Sequence, residues 1–164
     1  MLHQRAGAKR RGEMISVNSA QDRTILFDLL PLKTPGFRGF DIRLQILAVP
    51  GQAMYAATRR LVLKGADGIV FVADSQRPMR DANIESFNSL IENLKEFGLE
   101  LNDVPIVLQF NKRDLKNVLT IDEMAADLDP NELYPHFESS AVNGDGVSAD
   151  GRYPRYKRRV CAAQ

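Results

Sequence analysis

Val104-Pro-Ile-Val-Leu-Gln-Phe-Asn-Lys-Arg-Asp114 is the stretch whose reading decides the fold. The apolar run Ile106-Val107-Leu108 has the composition of a strand buried on both faces. Asn111, Lys112 and Asp114 then fall at the strand's carboxyl end, where open α/β sheets hold their ligands. An aspartate at that place accepts two hydrogen bonds from a ring edge carrying an N–H beside an amino group, as guanine does and adenine does not. Charge-assisted hydrogen bonds of this kind are worth ~1.5–3 kcal/mol, enough to select one base. The Lys112 stem can lie over such a base while its ammonium stays in water. Taken alone, the same residues are also an ordinary polar loop after a strand.

Working outward, the chain alternates strand and helix. Ile69-Val-Phe-Val-Ala73 is an unbroken apolar run of the central-strand type. Ile84, Phe87, Leu90, Ile91, Leu94 and Phe97 recur at helical spacing, with Asp81 as the expected cap and Gly98 as the stop. Thr120-x-x-Glu123 is a capping box for a short helix that ends by Pro130, and residues 137–141 are expected to form a last strand. Toward the N-terminus, a helix carrying Met54, Thr58, Leu61 and Val62 is preceded by an antiparallel hairpin. The hairpin's first strand starts at Thr24 and closes at Pro31, Lys33-Thr-Pro-Gly-Phe-Arg-Gly39 turns, and residues 40–49 return. Residues 1–20 are poorly patterned and are expected to be loop or a helix end. The sum is an α/β fold, a mostly parallel sheet with one antiparallel edge strand.

Bulk properties narrow the class. The chain has 164 residues, 44% apolar and 26% charged, with a net charge of +1. That supports one domain with a real core and gives no whole-molecule field for nucleic acid. A single cysteine, Cys161, rules out a disulfide framework within the chain. No apolar run reaches membrane-spanning length, and a cytoplasmic location is the default expectation.

Several motifs occur in a definite order. They are Gly12-Glu-Met-Ile-Ser16, Asp22-Arg-Thr24, Val49-Pro-Gly-Gln52, Gly68-x-Val-Phe-Val-Ala-Asp-Ser75, Leu108-Gln-x-Asn-Lys-Arg-Asp-Leu115 and Ser139-Ser-Ala-Val142. Over residues 12–147 the chain resembles the Ras-like small GTPases, and among them the bacterial gliding-motility (Mgl-type) branch. The resemblance implies a GTP/GDP-binding, Mg²⁺-dependent switch of the P-loop NTPase fold that hydrolyses GTP. It implies a role in gliding motility or cell polarity, with a GTPase-activating partner of the roadblock-like kind and no stable membrane anchor. By the same resemblance, Thr24 holds Mg²⁺ and Gly51 senses the γ-phosphate. Gln52 orients the attacking water and Arg23 serves as an arginine finger in cis. Asn111, Lys112 and Asp114 read guanine, and Ser140, Ala141 and Val142 bring backbone to the base. Read without the resemblance, Arg23 and Gln52 are also polar strand-end residues, Thr24 a strand residue, and Asp74-Ser75 a turn.

The chain departs from the family pattern in three places. No Gly-x-x-x-x-Gly-Lys-[Ser/Thr] loop occurs, so the first strand, the phosphate loop and most of the first helix are expected to be absent. In that case residues 1–22 are a remnant of the first helix and switch loop. Ala48 stands where most small GTPases carry a metal-facing aspartate, a departure the Mgl-type branch shares. Residues 148–164 lack the apolar periodicity of the family's last helix and read as a basic, disordered tail. The tail's Cys161-Ala-Ala-Gln164 has the form of a prenylation signal, which the bacterial resemblance disfavours. The alternative function is a truncated or degenerate non-enzymatic fragment, or an interaction module without nucleotide turnover.

Overall fold

A computed structural model describes residues 15–18, 25–37, 40–49, 56–99 and 104–146. Ile15–Asn18 (β1), Ile25–Phe37 (β2) and Phe40–Ala48 (β3) form an antiparallel sheet in the order β1-β2-β3. Ala56–Leu63 is the first helix (α1). Ile69–Asp74 (β4), Ile106–Asn111 (β5) and His136–Glu138 (β6) form a parallel sheet in that order. A 3₁₀ turn at Arg77–Met79 leads into the long helix Arg80–Glu96 (α2), and Ile121–Leu128 is α3. The parallel sheet and its helices are the α/β arrangement the alternating pattern implies. In place of one mostly parallel sheet, however, the described residues form two three-stranded sheets. β3 and β4 are each the end strand of their own sheet.

The antiparallel hairpin is present, but its first strand is longer than the pattern predicts. Pro31 does not close β2; it pairs with Gln45 inside the strand. Pairing with β1 reaches only Leu29, so Pro31 has a neighbour on one side, the edge-like setting that tolerates a missing N–H. Pro35 and Gly36 are absorbed as an irregularity between Thr34 and Phe37. Ile15–Asn18 is a strand rather than loop or helix end, its Ile15 and Val17 paired with Leu29 and Phe27. Four residues of alternation are too short a signal to stand out from sequence.

The core lies between the parallel sheet and the helices. Ala73, Leu108 and Phe110 are fully buried with Leu94 and Met124, and Phe87 meets Phe71 edge to face at 5.0 Å. Burying one such leucine contributes ~1.5–3 kcal/mol. Burial is one-sided. In β5, Ile106, Leu108 and Phe110 are buried while the alternate Val107, Gln109 and Asn111 are half-buried. In β4, Ile69, Phe71 and Ala73 belong to the core, whereas Val70 and Val72 are 56% and 54% exposed. The expectation that both apolar runs are buried on both faces is therefore corrected.

Helix ends follow their local chemistry with one exception. Gly98 stands at φ 69°, the left-handed conformation that ends α2. Thr120 and Glu123 form both bonds of the capping box on α3. Asp81 does not cap α2: Met79 is the N-cap, without a side-chain cap bond, and Asp81 sits in the first turn. There its charge faces the positive end of the helix dipole. Arg80 grips Asp127 with two bonds of 2.7 and 2.6 Å, tying the start of α2 to α3. No described helix is long and apolar enough to cross a membrane. The tail at 148–164 lies outside the described residues.

Candidate functional site

The carboxyl ends of β4 and β5 and the loop after β6 meet in one place. β4 delivers Asp74 and β5 delivers Asn111, register partners across the parallel pair. Lys112 follows with φ 65°, a left-handed backbone that turns the chain sharply off the strand. The turn is held by the Leu115 N–H bond to the Lys112 carbonyl at 3.2 Å. Arg113 ties it to its surroundings. Its N–H bonds the Ser139 carbonyl at 3.1 Å, its guanidinium bonds Glu138 at 2.9 Å, and it reaches the Leu119 carbonyl at 2.6 Å.

The loop after β6 is folded back on itself. Ser140 N–H donates to the Asp145 carbonyl, and Gly144 N–H to the Ser140 carbonyl. Gly144 and Gly146 take φ 82° and 65°, conformations that glycine adopts without strain. The loop then meets the end of β5 through two side chains. Asn111 Oδ1 accepts from the Ala141 N–H at 3.0 Å and from the Ser139 hydroxyl at 3.1 Å. Asp114 Oδ1 accepts from the Ser140 hydroxyl at 2.6 Å. Ser140 is 3% exposed while Asp114 is exposed, so the bond is shielded from water on the serine side only. It takes up only part of the carboxylate, which has about four lone-pair sites.

Of the residues expected at the site, Asn111, Lys112, Asp114, Ser140 and Ala141 are brought together. Val142 belongs to the same loop and is 71% exposed. Ala141 spends its backbone N–H on Asn111. Arg23, Thr24, Gly51 and Gln52 lie outside the described residues. Among the described residues, no group of three or more His, Cys, Asp or Glu side chains is placed to hold a metal ion.

Three participants were not singled out from sequence for this role. Asp74, read as a turn residue, bonds Lys112 Nζ at 2.7 Å and also accepts from the Gln76 N–H and side-chain amide. Burial works against its charge, but these bonds and the Lys112 charge together hold its carboxyl below the usual aspartate range. Gln109 and Ser139 are joined by a 2.8 Å bond directly behind Asn111. The one sequence signal for Asp74 and Gln109 is polarity within or at the end of an otherwise apolar strand.

The geometry agrees with comparison to known proteins. Residues 16–150 match the Ras family. The chain is 44% identical over 146 residues to the mutual gliding-motility protein MglA of Myxococcus xanthus (strain DK1622), covering 89% of this chain and 74% of that protein. This chain belongs to the Ras family of small GTPases and is a homologue of MglA.

Proposed function

We propose that this chain binds guanine nucleotides at the meeting of β5 and the loop after β6, as part of a GTP-dependent switch of the gliding-motility type. One arrangement carries the reading. Asn111 has its oxygen saturated by two donors, while Asp114, aligned by Ser140, keeps acceptor capacity. One side chain is left to donate and the other to accept, a pairing that fits guanine. Its O6 and N7 accept, while its N1–H and amino group donate. The described residues thus fit the base of GTP or GDP. Lys112, between Asn111 and Asp114 in sequence, is anchored by Asp74.

The rest of the proposal rests on family membership. Thr24 and Gly51 are assigned to Mg²⁺ and the γ-phosphate, and Gln52 and Arg23 to the hydrolysis of GTP. When bound, the metal would neutralise phosphate charge. A roadblock-like activating partner is proposed on the same ground. A second reading rests on the base-facing groups of the described residues alone. In it the pocket reads the base, and no turnover follows.

Calorimetric titration with GDP plus Mg²⁺, guanosine and ATP separates these readings. The switch requires GDP to bind far more tightly than guanosine, because the phosphates are held too. Equal affinity for GDP and guanosine supports the base-reading module. Asp114→Asn should erode the preference for GDP over ATP at least tenfold. An unchanged ratio removes Asp114 from the site, and no binding of either guanine compound ends both readings.

A further inference from the structure

A polar relay runs from the half-buried face of the parallel sheet into the base pocket. Gln109 is the register partner of Val72 on β4 and of Phe137 on β6. It therefore lies on the face opposite Leu108 and Phe110, two residues below Asn111 on the same strand. Its Nε2 is 2.8 Å from Ser139 Oγ, which is 3.1 Å from Asn111 Oδ1. Ser139 is 2% exposed, so water does not compete for its single hydroxyl proton.

The direction of every bond in this chain is determined. Ala141 N–H can only donate, so the atom it meets on Asn111 is the oxygen. The Gln109 amide nitrogen can only donate, so Ser139 Oγ accepts from it and sends its own proton to Asn111. Reversing the Gln109 amide would take that proton away and set two acceptors, Ser139 Oγ and Asn111 Oδ1, facing each other at 3.1 Å. With Gln109 as placed, both lone pairs of Asn111 Oδ1 are filled. The Asn111 amide cannot flip without losing both bonds, and its N–H₂ group is left to the ligand.

We propose that Gln109 is a positioning residue for base recognition: through Ser139 it fixes the Asn111 amide so that its N–H₂ meets an acceptor on the base. The assignment rests on the guanine-nucleotide reading above. Gln109 touches no ligand atom. Its effect on affinity passes through Ser139, and its polarity, rather than its size, is what matters. The glutamine is therefore more than a tolerated polar residue in an apolar strand.

The test measures GDP affinity by calorimetry for the full chain and for Gln109→Leu, Gln109→Glu, Ser139→Ala and the Gln109→Leu/Ser139→Ala pair. Gln109→Leu should weaken GDP about tenfold, the scale of one lost orienting hydrogen bond. Gln109→Glu keeps the shape but accepts the Ser139 proton, so it should weaken binding more than leucine does. In the Ser139→Ala background, Gln109→Leu should add less than about twofold, because the two act as one unit. Wild-type affinity in Gln109→Glu, or independent multiplication of the two single effects, overturns the proposal.

Failure of the guanine reading is distinguishable, because wild-type protein then binds no GDP. In that event the relay is read in the ligand-free protein by amide hydrogen exchange. Ala141 N–H should exchange faster in Gln109→Leu and in Ser139→Ala, while Leu108 N–H, bonded to the Pro135 carbonyl at 2.9 Å, keeps its protection. Unchanged Ala141 exchange overturns the relay whatever the ligand.

Discussion

Lys112 Nζ lies 2.7 Å from Asp74 Oδ2, so the lysine of the Asn-Lys-x-Asp motif is anchored to the neighbouring strand. Asp74 is itself held in place. Its backbone N–H donates to Asn83 Oδ1 at 3.1 Å, and its carbonyl accepts from Asn83 Nδ2 at 2.8 Å. Asn83 is a nearly buried residue of α2. The end of β4 is thus fixed by a helix, and the lysine is fixed by the end of β4. That chain of contacts joins the core to the site.

Asp74→Asn tests the anchor. The native carboxyl is held below its ordinary value, so its contribution to stability is complete above the unfolded value of about 3.9. The contribution is lost as pH falls through the still lower folded value. At pH 7 the variant should be less stable by ~0.5–1 kcal/mol, a modest figure because the Lys112 side chain is 47% exposed. Urea unfolding should show this gap narrowing below about pH 4. A gap of the same size at pH 7 and pH 3 would remove the ion pair as its source.

Gly146→Ala should disable the loop after β6. Gly146 has φ 65°, and an added Cβ would fall on the Glu138 carbonyl oxygen and come within 3.0 Å of Ser139 Cα and Cβ. The loop must move, carrying Ser139 and Ser140 away from Asn111 and Asp114. Left-handed strain and backbone overlap together should cost ~2–4 kcal/mol of local stability. Gly98→Ala is the control: it shares the left-handed backbone at φ 69° but meets nothing within 4 Å. It should cost only ~1–2 kcal/mol. Thermal unfolding and GDP affinity measured on both variants separate strain from collision, since only Gly146→Ala should lose affinity.

Thr120→Ala should lower stability by ~1 kcal/mol. Thr120 Oγ1 accepts from the Glu123 N–H at 3.1 Å while Glu123 returns a 2.7 Å bond to the Thr120 N–H. The helix they start buries Met124 and Leu128 against the core. Thr120→Ser keeps the hydroxyl and should restore most of the loss. If serine is as damaging as alanine, the cap is not what the threonine contributes.

Legibility from sequence followed the range of the forces involved. The capping box on α3 and the glycine at the end of α2 are written in residues within four positions of each other, and both were readable. β4 and the start of β5 were readable because Ile69–Ala73 and Ile106–Leu108 are apolar runs, whereas β6, His136–Glu138, carries no such run. Reading Pro31 as a strand end failed because its tolerance depends on where β1 stops pairing, a fact held in residues 15–18. The Lys112–Asp74 and Gln109–Ser139 contacts span 38 and 30 positions, and no local pattern announces them. The apolar runs also could not show that one face of β4 carries exposed valines. An unbroken run predicts two buried faces, and only the packing of the helices decides between one and two.

Val72 and Leu108 therefore make a decisive pair. They lie on adjacent strands, both within apolar runs, and a sequence reading treats them alike. Leu108 is fully buried between the sheet and the helices, whereas Val72 is 54% exposed. Leu108→Ala removes packed atoms that no neighbour can replace and should cost ~2–5 kcal/mol. Val72→Thr exchanges a methyl for a hydroxyl on an open face and should stay within ~0.5 kcal/mol of wild type. Chemical denaturation of the two variants measures the asymmetry directly. A Val72→Thr loss of several kcal/mol would mean that this face of β4 is covered in solution.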